Sequence, residues 1–428
     1  MQFNRTHNTE DFNSGMIGQT VIFGGWIEDL RKLGKMTFLT VRDVTGLAQV
    51  IVKEDTSKEI EGITRQSVIR VEGKIQETRA RDFECEIKAE KIDVLAHAVY
   101  PLPPDPIGRL ESNIDNRSNA RALDMRNQKT ASIFKLRHHV LVSIRKTLTE
   151  KKFIEINTPK LIGSASEGGA NLFSLEYFGK QAYLAQSPQL YKEQMTIGLE
   201  RVYEIASFYR AEKSHTGRHL SEFTSVDIEA AFMDYTDVME ILESLVVEVY
   251  KYVAEKCRKE QKAIGIEIKV PSSPFERITY SQVLEELKSG GEDLKFGDDL
   301  LDSHLRIIGK NHPGFFFLIE WPMKLKPFYI REKDDEPKIS RSFDLQFGYL
   351  ELASGGTRLH DPKKIRTRLE EQGLDPSKFS NHLQAFDWGM PPHAGWGLGL
   401  ERFMTTLIGI DNVREVVLYP RDPDRLTP

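Results

Sequence analysis

Near its C-terminus the chain reads GLGLERFMT at residues 397–405, where closely spaced glycines predict a turn that leads directly into an apolar helix. Glycines let the backbone approach a flat ligand, and a guanidinium such as that of Arg402, near the start of the predicted helix, binds phosphate well. The alternative is a tight strand-to-helix turn in which Arg402 forms a structural ion pair. Two segments far upstream favour the first interpretation, because they supply the other groups of a nucleotide site.

Composition and charge narrow the class of protein. The 428 residues suggest two or three domains, and 39% hydrophobic with 29% charged residues is ordinary for a globular protein. No apolar run approaches the roughly 20 residues of a membrane span, and the N-terminus has no signal-peptide pattern, so we expect a cytoplasmic protein. Cys85 and Cys257 are too far apart for a metal knuckle. The net charge of -5 argues against a generic nucleic-acid-binding protein.

Residues 1–100 are predicted to form a small β-barrel of the oligonucleotide-binding (OB) type. Five segments alternate apolar and polar residues, with a helical break after the third. They are residues 20–28, 35–42, 48–52, 67–75 and 83–94. Five strands in so short a span fit a Greek-key barrel, and any other small all-β domain is the alternative. The proline-rich YPLPPDP at 100–106 then introduces a hinge, which we place at residues 101–128.

Residues 129–428 are predicted to form a second domain of the α+β class. Helical periodicity covers residues 131–151 and 237–261, and a strand at 153–158 is ended by a proline. Further strand patterns lie within 170–232 and near 315–321, 342–347 and 349–353. Strands with helices grouped around them imply a largely antiparallel sheet flanked by helices. No strand–GxGxxG–helix unit is present, which argues against a Rossmann domain.

The first upstream segment is ASFYRAE at residues 206–212, read as a strand on which Arg210 and Glu212 share one face. An arginine that faces a cleft neutralises phosphate, and a nearby carboxylate can accept a hydrogen bond from an adenine amine. Phe223, after the following loop, offers a stacking face. The alternative is a surface ion pair, which is common and contributes little.

The second upstream segment is SFDLQFGYLE at residues 342–351, in which Asp344 and Glu351 could meet across a bend between two strands. Two carboxylates placed in this way can hold a hard cation together with phosphate oxygens, although acids beside turns are usually only solvated. The segment continues into paired glycines and Arg358. Such glycines let a small amino acid lie against the backbone, and Arg358 can bind a carboxylate through two hydrogen bonds.

Together these segments resemble the class II aminoacyl-tRNA synthetases. The helix and the strand that ends before Pro159 are similar to motif 1, FYRAE at 208–212 to motif 2, and GLGLER at 397–402 to motif 3. An OB domain before such a core is typical of the subclass with the aspartyl, asparaginyl and lysyl enzymes. Four further segments resemble the archaeal type of aspartyl enzyme: SEGGA at 166–170, QSPQLYK at 186–192, GMPPH at 389–393 and YPRDPDRLTP at 419–428.

The resemblance implies ATP as a substrate and Mg²⁺ as a cofactor. It assigns Arg210 to the α-phosphate, Glu212 to the adenine, and Phe223 and Arg402 to the two adenine faces, with Arg402 also reaching the γ-phosphate. Arg210, Arg402 and Glu351 are the implied catalytic residues. The other implied ATP-binding residues are Arg218, His219, Leu220, Glu351, Gly399, Leu400 and Glu401. The implied metal-binding residues are Asp344, Glu351 and Ser354.

The resemblance also implies L-aspartate as the amino acid. Glu167 and Gln189 are expected to bind its ammonium group, and Lys192 and Arg358 its side-chain carboxylate. The remaining implied aspartate-binding residues are Arg210, Asp227, which would orient Lys192, and Ser354. Asparaginyl enzymes of this subclass lack the lysine at this position, so Lys192 favours aspartate. The alternatives are an asparaginyl enzyme, or a paralog that binds tRNA without catalysis.

The implied macromolecular partners are tRNA(Asp), with tRNA(Asn) left open as a second acceptor, and a second copy of the chain in a homodimer. On the barrel, Phe38 is expected to stack on an anticodon base and Gln49 to read a base edge. Arg31, in a loop-forming stretch at 29–34, is a candidate for phosphate contact. The resemblance implies that the positions that discriminate between the two tRNAs fall near Glu28 and Asp82. Neither residue has the form usual in either subgroup, so the tRNA range stays open.

Overall fold

The computed structural model describes residues 4–108, 111–163, 172–212 and 217–428. The chain divides into two compact units, Met1–Glu111 and Ser112–Pro428. The second unit begins at Ser112 rather than at residue 129, because two short helices, α1 (Ile114–Asn119) and α2 (Arg121–Asp124), belong to it. The buried guanidinium of Arg121 donates hydrogen bonds to the carbonyls of Arg414 and Leu418 and so ties these helices to the C-terminal segment.

The first unit is the predicted five-stranded barrel. Its strands are β1 (Thr20–Leu33), β2 (Met36–Arg42), β3 (Leu47–Lys53), β4 (Val68–Gln76) and β5 (Glu86–Ala96), and they close in the order β1-β2-β3-β5-β4. The predicted break after the third strand is a short 3-10 helix, Ser57–Ile60. Alternate side chains such as Phe23, Leu39 and Val50 are fully buried inside the barrel.

One strand of the barrel is longer than its sequence pattern predicts. β1 continues to Leu33, where it pairs with Met36 across a tight turn in which Gly34 has a φ of 59°. Glycine adopts this left-handed conformation without the strain that a side chain would cause. The predicted loop at 29–34 is therefore wrong, and Arg31 lies on a strand opposite Phe38.

The second unit is α+β, as predicted. Its elements, in chain order, are α3 (Gln128–Glu150), β6 (Ile154–Glu155), β7 (Leu161–Ile162), β8 (Ser174–Tyr177), β9 (Lys180–Leu184), α4 (Gln189–Leu199), β10 (Arg201–Tyr209), β11 (Glu222–Ala231), α5 (Tyr235–Lys256), α6 (Arg258–Ile264), β12 (Glu276–Thr279), α7 (Tyr280–Ser289), α8 (Asp302–Asn311), β13 (Phe315–Ile319), β14 (Ser342–Phe347), β15 (Leu350–Thr357), α9 (Pro362–Glu371), α10 (Ser380–Asp387), β16 (His393–Gly399) and α11 (Leu400–Ile408).

An eight-stranded sheet with the order β12-β13-β14-β15-β16-β11-β10-β6 forms the centre of this unit. Neighbouring strands from β13 to β10 are antiparallel, and only the two edge strands pair in parallel. Strands β7, β9 and β8 form a separate small sheet. The helical pattern predicted at 237–261 is broken at Cys257, whose backbone leaves the helical conformation and separates α5 from α6.

Helices α5 and α11 cover one face of the large sheet, and the site lies on the other face, where α4 packs on β10 and β11. Helices α5 and α11 pack on β15 and β16, and α3 packs on α5. The core between them buries Leu136, Leu242, Trp396 and Phe403 completely. Burial of such large apolar side chains stabilises the fold by about 1.5–3 kcal/mol each. Among the helices of the described residues, none is long and apolar enough to cross a membrane.

His312 joins β12 and α7 through two carboxylates. Its Nδ1 lies 2.7 Å from Glu276 Oε2 and its Nε2 lies 3.0 Å from Glu286 Oε1. Burial disfavours the charged imidazole, but the hydrogen bonds and charges of these carboxylates outweigh it and raise the pKa of His312. A histidine with a raised pKa stabilises the fold at pH values below its ordinary pKa. That contribution is lost as the pH rises through the raised value.

We therefore expect His312→Asn to lower the free energy of unfolding by about 0.5–1 kcal/mol at pH 6. At pH 9 the wild-type imidazole is neutral, so the difference in the free energy of unfolding between variant and wild type should be smaller than at pH 6. Urea denaturation at both pH values measures this. His138→Asn, which changes an exposed histidine of α3, is the matched control and should have no effect at either pH. An equal loss at pH 6 and pH 9 would contradict the prediction.

Candidate active site

A cavity of about 290 Å³ lies on the face of the large sheet opposite to α5 and α11. Its floor includes Gly397 and Gly399 of β16, while the alternate residues Trp396 and Leu398 point into the core. The GLGLER segment is thus a strand followed by a helix that begins at Leu400, and the turn predicted at its glycines is wrong. A Cβ atom at Gly397 would lie 3.0 Å from Asp227 Oδ1, so glycine keeps this part of the floor open.

Two buried cations stand at one end of the cavity. Arg358, just after β15, donates from Nε and Nη2 to the two carboxylate oxygens of Glu229 at 2.9 and 3.2 Å. Lys192 Nζ, on α4, lies 2.9 Å from Asp227 Oδ1, 3.2 Å from the carbonyl of Trp396 and 3.6 Å from Glu229 Oε2. Burial opposes the charge of Arg358, but Glu229 outweighs it and raises the pKa of the guanidinium. Both side chains are therefore held in place by buried carboxylates.

The same end of the cavity holds two more of the predicted residues. Ser354 on β15 is exposed to the cavity and is paired with Gly397 in the sheet. Gln189, the first residue of α4, lines the cavity although its side chain is almost wholly buried. Its Nε2 donates to Glu193 Oε1 one helical turn later. Glu167, which was predicted beside Gln189, lies outside the described residues.

The other end of the cavity contains Arg210, Glu212 and Phe223. Strand β10 ends at Tyr209, so the prediction that Arg210 and Glu212 share a strand face is wrong. The two side chains still meet, with Arg210 Nη1 3.9 Å from Glu212 Oε1. The Arg210 guanidinium lies over the ring of Phe223, 5.2 Å from its centroid, because β10 and β11 pair Phe208 with Phe223. A cation and an aromatic face are therefore adjacent at this end.

Arg402 of α11 crosses the same region. Its Nη1 donates to the carbonyl of Glu351 at 3.0 Å, and its Nη2 lies 3.2 Å from His219 Nε2. Because a guanidinium only donates, His219 Nε2 must accept, so the imidazole is neutral. Burial and the Arg402 charge both lower the pKa of His219, in agreement with this. Arg218 contacts Asp302 and lies over the ring of Tyr349.

Three further residues that were predicted to bind ATP have different surroundings in the structure. Leu220 lines the cavity, whereas Leu400 is buried in the core and does not. Glu401 lines the cavity, but its carboxylate accepts from Arg137 Nη2 at 2.9 Å and from the backbone N–H of Thr224 at 3.0 Å. The Glu401 side chain is therefore already engaged in holding α11 to α3 and β11.

The predicted metal carboxylates lie on neighbouring strands. Asp344 of β14 is paired with Ser354 of β15, and Glu351 is on β15. Burial and the nearby charge of Asp344 raise the pKa of Glu351. Lys326 Nζ lies 3.2 Å from Asp344 Oδ2 and lines the cavity, a contact that nothing in the sequence pattern indicates. In the parts of the chain described, no three His, Cys, Asp or Glu side chains converge as a metal site, so substrate oxygens would have to complete any coordination.

Residues 113–423 match the family model described as tRNA synthetases class II (D, K and N), and residues 21–95 match an OB-fold nucleic acid binding domain. The chain belongs to the class II tRNA synthetases. This family of enzymes uses ATP as a substrate. The assignment agrees with the sequence motifs and with the cavity that they line.

Relatives of this synthetase cover nearly its full length. It is 44% identical over 430 residues to the aspartate–tRNA(Asp/Asn) ligase of Methanothermobacter thermautotrophicus, covering 99% of this chain and 98% of the relative. It is 41% identical to the aspartate–tRNA(Asp) ligase of Thermoplasma acidophilum, covering 96% and 97%. The crystal structure of asparaginyl-tRNA synthetase from Pyrococcus horikoshii with asparaginyl-adenylate superimposes with a TM-score of 0.92 over all of both chains, at 31% identity.

The barrel of this synthetase presents Phe38 and Gln49 on its outer face. Phe38 pairs with Ile51 and Gln49 with Thr40, so the two predicted residues are diagonal neighbours on one side of β2 and β3. Gln49 Nε2 donates to Glu86 Oε2 at 2.7 Å. The predicted phosphate contact, Arg31, is opposite Phe38 on β1, with its side chain 75% exposed. The three candidates therefore share one surface.

The two positions predicted to discriminate between tRNAs have different surroundings. Ile27 pairs with Val41 and Asp29 with Thr40, so Glu28 is the extra residue of a β-bulge. Its Oε2 lies 3.2 Å from Arg42 Nε. Asp82 is exposed in the loop between β4 and β5. A bulge re-aims the side chains around it, which is how Glu28 comes to meet Arg42.

Proposed function

We propose that the chain is an aspartate–tRNA ligase. It activates L-aspartate with ATP and transfers it to the 3′ end of tRNA(Asp), with tRNA(Asn) as a second acceptor to be tested. The observation that carries this proposal is the pair of buried cations, Lys192 and Arg358, in the cavity. Glu229 uses Nε and Nη2 of Arg358, which leaves Nη1 to donate to a ligand carboxylate. The names of the relatives support the same substrate.

The asparaginyl enzyme is the second candidate, because the Pyrococcus horikoshii structure is so similar. A carboxylate accepts hydrogen bonds at both oxygens, whereas an amide offers one acceptor and one donor. Next to Arg358 and Lys192, which only donate, the amide of asparagine would place its NH₂ against another donor. Loss of a charge-assisted hydrogen bond in a buried site costs about 1.5–3 kcal/mol, so we expect aspartate to be preferred.

The proposed reaction has two steps. The aspartate α-carboxylate attacks the α-phosphorus of ATP and pyrophosphate leaves. The terminal ribose hydroxyl of the tRNA then attacks the aspartyl-adenylate, and AMP leaves. In this proposal Arg210 neutralises charge on the α-phosphate, and Arg402 binds the γ-phosphate. Phe223 and Arg402 enclose the adenine while Glu212 accepts from its amine. Rate enhancement then comes from positioning and charge neutralisation rather than from a protein nucleophile.

We propose that Asp344 and Glu351 hold Mg²⁺, with Ser354 beside them. Two adjacent carboxylates, one with a raised pKa, repel each other, and a divalent cation relieves that repulsion. Mg²⁺ keeps much of its coordination for water and phosphate, so two protein carboxylates are enough. When bound, the cation neutralises charge on the phosphates of ATP. Lys326 already pairs with Asp344 and adds positive charge at the same place.

We also propose a homodimer that acts in the cytoplasm, where tRNA and ATP are used in translation. Strand β6 is an edge strand of the large sheet, and Ile154 on it is exposed. Val142 of α3 and Leu161 of β7 are also exposed apolar side chains in the motif 1 region. An uncovered strand edge with apolar neighbours favours pairing with a second copy. Light scattering at several protein concentrations tests this.

The test of the function is aminoacylation with labelled aspartate on separate tRNA(Asp) and tRNA(Asn) transcripts, with ATP and Mg²⁺ at a stated salt concentration. Charging of tRNA(Asp) supports the proposal, and charging of both defines a relaxed enzyme. The same assay with labelled asparagine tests the second candidate. If asparagine is charged and aspartate is not, the second candidate is correct. Without charging of either amino acid, the chain is a non-catalytic paralog.

For the barrel we expect Phe38→Ala to raise the KM for tRNA(Asp) about 10- to 100-fold, because stacking of one base on an aromatic ring contributes about 1–3 kcal/mol. The ATP–pyrophosphate exchange reaction, which proceeds without tRNA, should not change. Thr20→Ala, which changes an exposed residue at the start of β1, is the control outside this surface. A KM for tRNA unchanged in the Phe38 variant would show that the ring has no part in binding.

A further inference from the structure

Glu193 is a fully buried carboxylate that neither lines the cavity nor takes part in the proposed chemistry. Its Oε1 accepts from Gln189 Nε2 at 2.5 Å. Its Oε2 lies 3.4 Å from His382 Nε2 and 3.7 Å from His393 Nε2. Both imidazoles are buried as well. Four polar side chains therefore meet directly behind the cavity wall, and only Gln189 reaches the cavity.

The contact with Glu193 determines how the Gln189 side chain is oriented. A glutamine amide has one end that donates and one that accepts, whereas an ionised carboxylate only accepts. The NH₂ group of Gln189 must therefore face Glu193, and its Oε1 must face the other way. Because Gln189 lines the cavity, the group that it can offer to a ligand is an acceptor. An ammonium group, which only donates, is the ligand group that matches it.

The surroundings of Glu193 keep it ionised. Burial disfavours the charge, but the contact with His393, together with the electrostatic effect of His382, His393 and Arg358, outweighs burial and lowers the pKa of Glu193 below its ordinary value. The imidazoles are held in turn by backbone carbonyls. His393 Nδ1 lies 2.8 Å from the carbonyl of Pro391, and His382 Nδ1 lies 3.3 Å from that of Leu190.

We propose that Glu193 is a positioning residue that holds Gln189 with its carbonyl oxygen toward the cavity, so that the site selects its amino acid by the α-ammonium group. His382 and His393 fix the position of the Glu193 carboxylate. The inference rests on the proposed aspartate-activating function and adds a residue to it. Without Glu193 the amide could turn over and present NH₂ to the ammonium group, donor against donor.

The probe is succinate, which has both carboxylates of aspartate but no ammonium group. In aspartate-dependent ATP–pyrophosphate exchange, wild type is compared with Glu193→Met, which keeps the approximate volume and removes the acceptor. We expect the KM for aspartate to rise about tenfold or more, as for a lost hydrogen bond to a charged group. The inhibition constant of succinate and the KM for ATP should stay within about twofold, because neither ligand has an ammonium group for Gln189 to recognise.

Glu193→Gln keeps one acceptor for Gln189 Nε2, but its amide can also donate, so it fixes the Gln189 amide less strictly than the carboxylate does. We expect its KM for aspartate to lie between those of wild type and Glu193→Met, with the inhibition constant of succinate unchanged. A KM for aspartate higher than that of Glu193→Met would contradict the proposal. Equal weakening of aspartate and succinate by Glu193→Met would indicate a merely structural role. Unchanged binding of both would also overturn the proposal.

If Glu193→Met fails to fold by circular dichroism, Glu193→Asp replaces it. This variant keeps the buried charge and withdraws the carboxylate from Gln189 by one methylene. A selective rise in the KM for aspartate supports the proposal, and parallel changes for aspartate and succinate overturn it. Failure of the function itself would look different, because wild type would then show no aspartate-dependent exchange at all.

Discussion

Arg358→Gln is expected to raise the KM for aspartate by roughly 10²–10³ in ATP–pyrophosphate exchange, because removing one partner of a buried, hydrogen-bonded charge pair costs about 3–5 kcal/mol. The variant loses the Nη1 donor proposed for the substrate side chain. It also leaves the fully buried Glu229 without the partner that binds both of its oxygens. The KM for ATP should change little, because Arg358 lies at the other end of the cavity from Phe223 and Arg402.

The second effect of this substitution, on stability, needs its own control. The double variant Arg358→Gln/Glu229→Gln removes both charges, so the loss of the guanidinium no longer leaves a buried carboxylate without its partner. We expect the double variant to regain much of the free energy of unfolding in urea but not the affinity for aspartate. If it regains both, the single variant failed by unfolding and Arg358 does not bind the substrate. A KM for aspartate within threefold of wild type in Arg358→Gln would contradict the prediction outright.

Arg210→Gln is expected to lower kcat for aspartyl-adenylate formation by about 10²–10³, the usual cost of removing one group that stabilises transition-state charge. The Arg210 guanidinium has a loose ion pair, 3.9 Å from Glu212, and lies over the ring of Phe223, but its side chain is 43% exposed. The substitution should therefore leave the thermal stability nearly unchanged. A large kinetic effect with a small effect on stability is what distinguishes a catalytic arginine from a structural one.

Arg366→Gln provides the matched control. Arg366 on α9 has a similar exposed fraction, 46%, and an ion pair 3.4 Å from Asp387, but it is not among the residues that line the cavity. The kcat of the Arg366→Gln enzyme should equal that of wild type. Rapid-quench measurement of aspartyl-adenylate in a single turnover separates the chemical step from product release. A loss of less than threefold in Arg210→Gln would mean that the α-phosphate is neutralised by other groups.

Much of the fold could be predicted because apolar alternation and helical periodicity are local signals. The five barrel strands, α3 and the hairpin of β14 and β15 all follow such patterns. Prediction of the strands failed where the side chains do not alternate between apolar and polar. Glycines of β16 have no side chain to alternate, so the strand resembled a turn. The end of β1, EDLRKL at residues 28–33, does not alternate apolar and polar residues and so resembled a loop.

The candidate site was predictable to the extent that its residues lie in short motifs. Arg210, Arg358 and Arg402 stand in recognisable segments, and the structure brings all three to one cavity. Lys326 and Glu193 were missed because the carboxylate or imidazole that fixes each of them, Asp344 for Lys326 and His382 for Glu193, belongs to a different element of the fold. Charge and hydrogen-bond partners of this kind arise only when strands and helices from separate parts of the chain are packed together.

Glu86 on the barrel connects two parts of the chain that are proposed to act in tRNA selection. Its carboxylate accepts from Gln49 Nε2 at 2.7 Å, from Gln76 Nε2 at 2.8 Å and from Thr78 Oγ1 at 3.0 Å. Thr78 belongs to the loop that bears Asp82, so this loop and the proposed base-reading glutamine share one acceptor. Anticodon preference can then change through energetic coupling within the protein, and a residue that alters tRNA choice need not touch the tRNA.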